Sequence, residues 1–197
     1  LLRHVDNIQS VFGLPCVVAI NRFPSDTEAE LDLIASECEK LGVNVKLSEV
    51  WAKGGEGALE LADEVMRLVE EPSELRFAYE DGADIADALE SIATKVYRAD
   101  GVDFTPAAKR QLAELRANGF GNLPVCVAKT QYSFSDNASM LGAPENFRIT
   151  VRELKVSAGA HFVVALTGSV LTMPGLPKVP AAEGIDVDDD GVITGLF

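Results

Sequence analysis

Apolar positions in the first third of the chain switch between two spacings. Residues 1–12 carry a helical spacing. Residues 15–20 (PCVVAI) then form an unbroken apolar run, the pattern of a parallel strand covered on both faces. Leu31, Ile34, Cys38 and Leu41 return to helical spacing. Thr27 followed by Glu30 predicts a capping box for that helix, and Gly42 its end. Residues 43–47 read as a second strand, and residues 48–55 as a loop. Ala58, Leu59, Ala62, Val65, Met66 and Val69 predict a second amphipathic helix with that face turned inward. Strand, loop and helix twice over predict an α/β architecture, with residues 1–72 as part of a doubly wound, mainly parallel sheet.

Beyond a Glu71-Pro72-Ser73 joint, residues 73–197 read as a smaller C-terminal α/β unit. A short strand is expected over residues 75–79. Helices are expected from Asp84, carrying Ile85, Leu89, Ile92 and Val96, and from Thr105-Pro106 to Asn118-Gly119. Residues 124–128 and 161–166 are apolar strands, and residues 148–154 a more polar one. From Met173 the chain is rich in Pro and Gly.

Composition narrows the function classes. The 197 residues are 47% hydrophobic and 24% charged, ordinary for a globular domain. No apolar run approaches the ~18 residues of a membrane span. A formal charge of −14 disfavours nucleic acid and anionic membranes as partners. It leaves room for a small anionic substrate, because a local Lys or Arg acts within a screening length of about 10 Å. Leu1 reads as mid-helix, so a fragment of a longer chain is expected. Cys16, Cys38 and Cys126 lie far apart in apolar contexts and read as buried free thiols of a reducing, cytoplasmic compartment. With two His and no CxxC, no zinc site is expected.

The loop after the first strand, Asn21 to Thr27, is the most informative place, because ligands of open α/β sheets bind past the carboxyl ends of the strands. Phe23 and Pro24 sit there. Trp51, the single Trp, occupies the loop after the next strand. Neighbouring strands are about 4.8 Å apart, so the two loops are neighbours. Rings held roughly 7 Å apart can grip a flat ligand between them. On pattern alone, each ring reads first as a plug over its own core, and the two together strengthen the ligand reading. Arg22 and Lys53 stand beside them and can offset the negative field.

Gly54-Gly55-Glu56-Gly57 opens a helix but matches no phosphate-loop motif, and the sequence contains no GxxxxGK[ST]. Asp186 to Gly191 resembles the first half of a calcium loop, yet its twelfth position is Phe197 rather than Glu, so a polar turn is expected. His4 and His161 are expected to be structural. Lys129 with Gln131, Tyr132 and Ser133 is a donor cluster open to capping, interdomain or ligand roles.

Four stretches carry a family resemblance: residues 18–27 (VAINRFPSDT), 99–104 (ADGVDF), 123–135 (LPVCVAKTQYSFS) and 172–182 (TMPGLPKVPAA). In order and over nearly the whole chain, they resemble the formate–tetrahydrofolate ligase family, in its bacterial single-function form. The resemblance implies a P-loop-NTPase-like fold whose phosphate loop and formyl-phosphate residues lie N-terminal to this segment. It implies an ATP-dependent ligase that formylates tetrahydrofolate at N10 through formyl phosphate, with ATP and tetrahydrofolate as substrates and a homo-oligomer, a tetramer in the family. It also implies that the pterin is sandwiched between Phe23 and Trp51, with Pro24 and Leu47 lining the same pocket and Asn21 and Arg22 as further contacts to substrate or nucleotide. No catalytic residue and no metal site is expected in this segment. The competing expectation is that residues 73–197 form a non-catalytic interdomain and assembly module.

Overall fold

The run at residues 15–20 becomes a strand later and more briefly than its apolarity suggests. A computed structural model describes residues 1–170 and 178–195. It begins with a short helix α1 (Leu2–Asp6) that continues as a π-helical turn, Asn7–Val11. Strand β1 (Val18–Asn21) follows, then helix α2 (Glu28–Glu39) and strand β2 (Val45–Ser48). β1 and β2 pair in parallel, Val18 opposite Val45 and Asn21 opposite Ser48.

Alternation assigns the two faces of this pair. Val18 and Val45 pack with Cys38, Val43 and Val5 on the α2 side. Lys46 points the other way, toward helix α4 (Leu59–Val69), where it meets Glu60 at 3.7 Å. Ala19 and Asn21 are exposed. The expected cover on both faces of β1 is therefore not found among the described residues. The helix of residues 28–39 starts as its sequence predicts. The Thr27 hydroxyl accepts from the Glu30 N–H, and the Glu30 carboxylate accepts from the Thr27 N–H.

Helix α4 departs from expectation. Its buried position is Glu64, whose carboxylate accepts from Asn44 at 2.8 Å and from Arg67 at 2.7 Å. The Asn44 bond ties this face of the helix to the residue just before β2. Leu59, Val65, Met66 and Val69, predicted to face inward, are exposed instead; Met66 is 64% accessible.

Residues 72–77 have no regular secondary structure, so the strand expected over residues 75–79 does not form. Helix α5 (Ile85–Lys95) starts at an Asp84 cap. Strand β3 (Val102–Phe104) leads to helix α6 (Pro106–Ala117), capped by Thr105 with Pro at its first position. Strands β4 (Val125–Ala128), β5 (Ile149–Ser157) and β6 (Phe162–Thr167) complete a sheet of order β3-β5-β6-β4. β3–β5 and β4–β6 are parallel, and β5–β6 is antiparallel. A bulge between Val151 and Glu153 shifts the alternation by one residue, so Val151 and then Leu154 point inward. They meet Ile85, Leu89, Leu112, Leu115 and Val163 in the main core. A short antiparallel pair, β7 (Asp186–Val187) and β8 (Ile193–Thr194), closes the described chain. The chain is thus mixed α/β, with a mainly parallel sheet.

The N-terminal helix touches both parts. Val5 is buried with Cys38, while the Asn7 amide donates to the Val96 carbonyl, Asp6 pairs with Arg98, and His4 stacks on Phe134 with ring centres 4.7 Å apart. His4 is accordingly a packing residue, and burial lowers its pKa from the usual value. His161 takes a left-handed turn before β6. Of the three free thiols, Cys38 is buried, Cys16 is half-buried and Cys126 is exposed, contrary to the buried reading for the last. The Pro- and Gly-rich start of the tail, residues 171–177, and the calcium-loop position Phe197 lie outside the described residues.

Candidate functional site

The two predicted rings emerge at adjacent strand ends. β1 ends at Asn21, and the Arg22 N–H still donates to the Ser48 carbonyl at 3.0 Å, extending the ladder by one bond. Residues 23–26 then form a turn with Pro24 at its second position, closed by the Asp26 N–H donating to the Phe23 carbonyl at 3.0 Å. Proline's fixed φ suits that position, so Pro24 has a backbone role here. β2 ends at Ser48, and a one-turn helix, α3 (Val50–Lys53), carries Trp51. This loop is closed by the Glu49 N–H donating to the Gly57 carbonyl at 2.9 Å. The approach is so close that a Cβ on Gly57 would lie 2.6 Å from the Glu49 carbonyl.

The indole N–H of Trp51 donates to the Arg22 carbonyl at 2.7 Å. One loop's ring is thereby tied to the other loop's backbone, one residue before Phe23. Phe23 is 53% and Trp51 58% accessible, so neither ring is a core plug. Leu47, 37% accessible, faces the same side of the strand pair as Val45. Asn21 lies at the exposed end of β1.

The two cations expected to offset the negative field are engaged locally. Arg22 pairs with Glu28, and Lys53 with Glu49. The hydrogen bond from Lys53 holds the Glu49 carboxyl below its ordinary range, with a smaller contribution from the Arg22 charge. Each cation therefore reaches a ligand only by sharing or leaving its carboxylate.

Other predicted residues serve the scaffold. The Lys129 ammonium donates to the carbonyls of Thr130 and Ser135, both at 2.9 Å, and of Ser133, and it lies over the Tyr97 ring. Burial lowers its pKa, and its bonds draw together the loop of residues 130–135. Gly101 holds a φ of 142°, which L side chains rarely adopt, at the place where the Arg148 guanidinium crosses the chain. That guanidinium bonds Asp103 and the carbonyls of Asp100 and Val102. Two of the stretches that carried the resemblance thus hold local architecture. Asp26 was not singled out by pattern, and Gly57 only as one of the Gly54–Gly57 loop glycines. An acid three residues past Phe23, across a Pro turn, was the available signal for the first. Among the described residues no cluster of three or more His, Cys, Asp or Glu side chains is placed to hold a metal ion, and no helix is long and apolar enough to cross a membrane.

Fold and site together define an α/β protein that displays two aromatic side chains past the carboxyl ends of adjacent parallel strands. Comparison with known sequences is more specific. The family model described as formate–tetrahydrofolate ligase matches residues 1–197. The formate–tetrahydrofolate ligase of Symbiobacterium thermophilum is 58% identical over 197 residues, a match that covers all of this chain and 35% of that protein. The chain belongs to the formate–tetrahydrofolate ligase family and spans about a third of the length of that curated relative.

Proposed function

We propose that this chain supplies the folate-binding wall of an ATP-dependent formate–tetrahydrofolate ligase. In the proposed reaction a formate oxygen attacks the terminal phosphorus of ATP and ADP leaves. N10 of tetrahydrofolate then attacks the formyl carbon, phosphate leaves, and N10 gives up its proton. Phe23 and Trp51 hold the pterin from opposite faces, with Leu47 and Pro24 at the edge and Asn21 and Arg22 as further contacts. Their contribution is placement, because holding an amine against an acyl phosphate lowers the barrier by several kcal/mol without any acid or base from this segment. Residues 1–72 form the C-terminal part of the family's P-loop-NTPase-like sheet, while ATP and formate are handled by the rest of the polypeptide. The working enzyme is a cytoplasmic homo-oligomer, a tetramer.

The observation that carries this reading is the 2.7 Å bond from the Trp51 indole to the Arg22 carbonyl, which makes two exposed rings parts of one unit. The test is tetrahydrofolate quenching of Trp51 emission in the full-length ligase, with Trp51→Phe as control. Quenching that is identical in the control would sink the sandwich. The 197-residue chain alone is expected to show no formate-dependent ATP hydrolysis, and measurable turnover would refute the division of labour.

A second reading, an assembly role, is favoured by a different observation from the one expected. The exposed apolar stripe Leu59, Val65, Met66 and Val69 lies on α4, before residue 73. Its occupant is the remainder of the same polypeptide, given that this chain matches only 35% of its relative's length. Light scattering separates the cases. A full-length ligase carrying Met66→Lys that keeps both its oligomeric state and its stability would count against any cover on this stripe.

A further inference from the structure

Phe23 is more than half exposed, so packing alone does not fix where its ring points. Its backbone sets the Cα–Cβ direction and so limits the ring to a few rotamers. The peptide unit joining Arg22 to Phe23 is held at both edges. Its carbonyl oxygen accepts from the Trp51 indole at 2.7 Å, and its N–H donates to the Asp26 carboxylate at 2.8 Å. In a planar trans peptide these two groups point in opposite directions, so the two bonds together stop the plane from rotating. The next peptide is held as well, since the Phe23 carbonyl accepts from the Asp26 N–H at 3.0 Å. With both flanking planes fixed, φ and ψ of Phe23 are fixed, and so is the direction of its Cα–Cβ bond.

We infer that Asp26 is a positioning residue for the folate wall, acting with Trp51 to clamp the Arg22–Phe23 peptide and set the direction of the Phe23 Cα–Cβ bond. The obvious structural role for Asp26, capping α2, is already filled. Thr27 is the cap, and its reciprocal partner is Glu30. The Asp26 carboxylate is therefore directed to the turn and not to the helix. This inference rests on the folate-wall reading above, and its test separates the two.

The test compares Asp26→Ala, Asp26→Asn and Phe23→Ala in the full-length ligase. Asp26→Ala is expected to raise KM for tetrahydrofolate about three- to tenfold, the loss of one charge-assisted hydrogen bond. KM for ATP and for formate should stay within about twofold, as should kcat. Asp26→Asn keeps an oxygen that accepts from the Phe23 N–H and should recover most of the loss. Should Asp26→Ala not fold, Asp26→Glu tests the same point, because it keeps the charge but displaces the oxygens by a methylene, and KM for tetrahydrofolate should again rise. An unchanged KM for tetrahydrofolate in the Asp26 variants, beside a raised one in Phe23→Ala, overturns the positioning role and leaves the wall standing. Unchanged values in Phe23→Ala and Trp51→Phe overturn the wall itself.

Discussion

The Trp51 indole N–H and the Arg22 carbonyl oxygen, 2.7 Å apart, join two loops that are separated in sequence by a helix and a strand. The bond gives Trp51 two separable contributions, a donor and a face. Trp51→Phe removes the donor and keeps a face. It is expected to weaken tetrahydrofolate binding about three- to tenfold in the full-length ligase. Trp51→Ala removes both and should cost about tenfold more, the worth of one stacking contact. Equilibrium titration of the two variants checks the order. Equal losses would mean that the bond to Arg22 carries the whole effect and the ring none.

Gly57 sets the Trp51 loop from the other side. A Cβ there would lie 2.6 Å from the Glu49 carbonyl, and the obstacle is backbone, which cannot swing aside. Gly57→Ala is expected to destabilise the chain by about 1–3 kcal/mol and to shift Trp51 emission. The neighbouring Gly55 has open space around its would-be Cβ, so Gly55→Ala should be neutral or stabilising by up to about 1 kcal/mol. Thermal melts and emission spectra of the pair check this, and similar behaviour of the two variants would contradict the geometry.

Local signals were legible wherever one residue's chemistry decided the outcome. Thr27 with Glu30 gave the start of α2, Asp84 that of α5, and Thr105-Pro106 that of α6. The adjacency of Phe23 and Trp51 also followed from strand order, because β1 and β2 pair in parallel. What pattern could not supply was which face each element buries. Helix α4 has an apolar stripe, yet the face it buries carries Glu64, bonded to Asn44, and the stripe is left outward. A hydrophobic periodicity says that a face is to be covered, without saying that this part of the chain covers it. The pairing of Arg22 with Glu28 and of Lys53 with Glu49 was equally invisible, since it depends on loop geometry.

The same contrast predicts a difference in the cost of truncating two apolar side chains. Ile85 is fully buried in the main core against the β5–β6 sheet, whereas Leu59 is 62% accessible. Ile85→Ala should cost about 2–5 kcal/mol in this chain. Leu59→Ala should stay within about 0.5 kcal/mol in the same background. Denaturant midpoints at constant m-value check both. A large cost for Leu59→Ala in the 197-residue chain would show that its stripe is already covered.

Glu64 makes the stability of the chain depend on acid in a defined direction. Hydrogen bonds from Arg67 and then Asn44 hold its carboxyl at about 2, against 4.5 for an ordinary glutamate. A folded-state pKa below the unfolded one means that the unfolded chain binds the proton first. The stabilisation is therefore fully present above 4.5 and lost as the pH falls from 4.5 toward about 2. Glu64→Gln keeps an oxygen for the Asn44 amide but removes the charge that faces Arg67. Its melting temperature should be lower than that of the parent at about pH 7, and the gap should close between about pH 5 and pH 2.5, because the parent alone loses this contribution there. The other carboxylates lowered by partners, Asp84 beside Arg116 among them, titrate in both proteins and cancel in the difference. A gap that stays constant through that window would place the effect in packing and not in the ionised carboxylate.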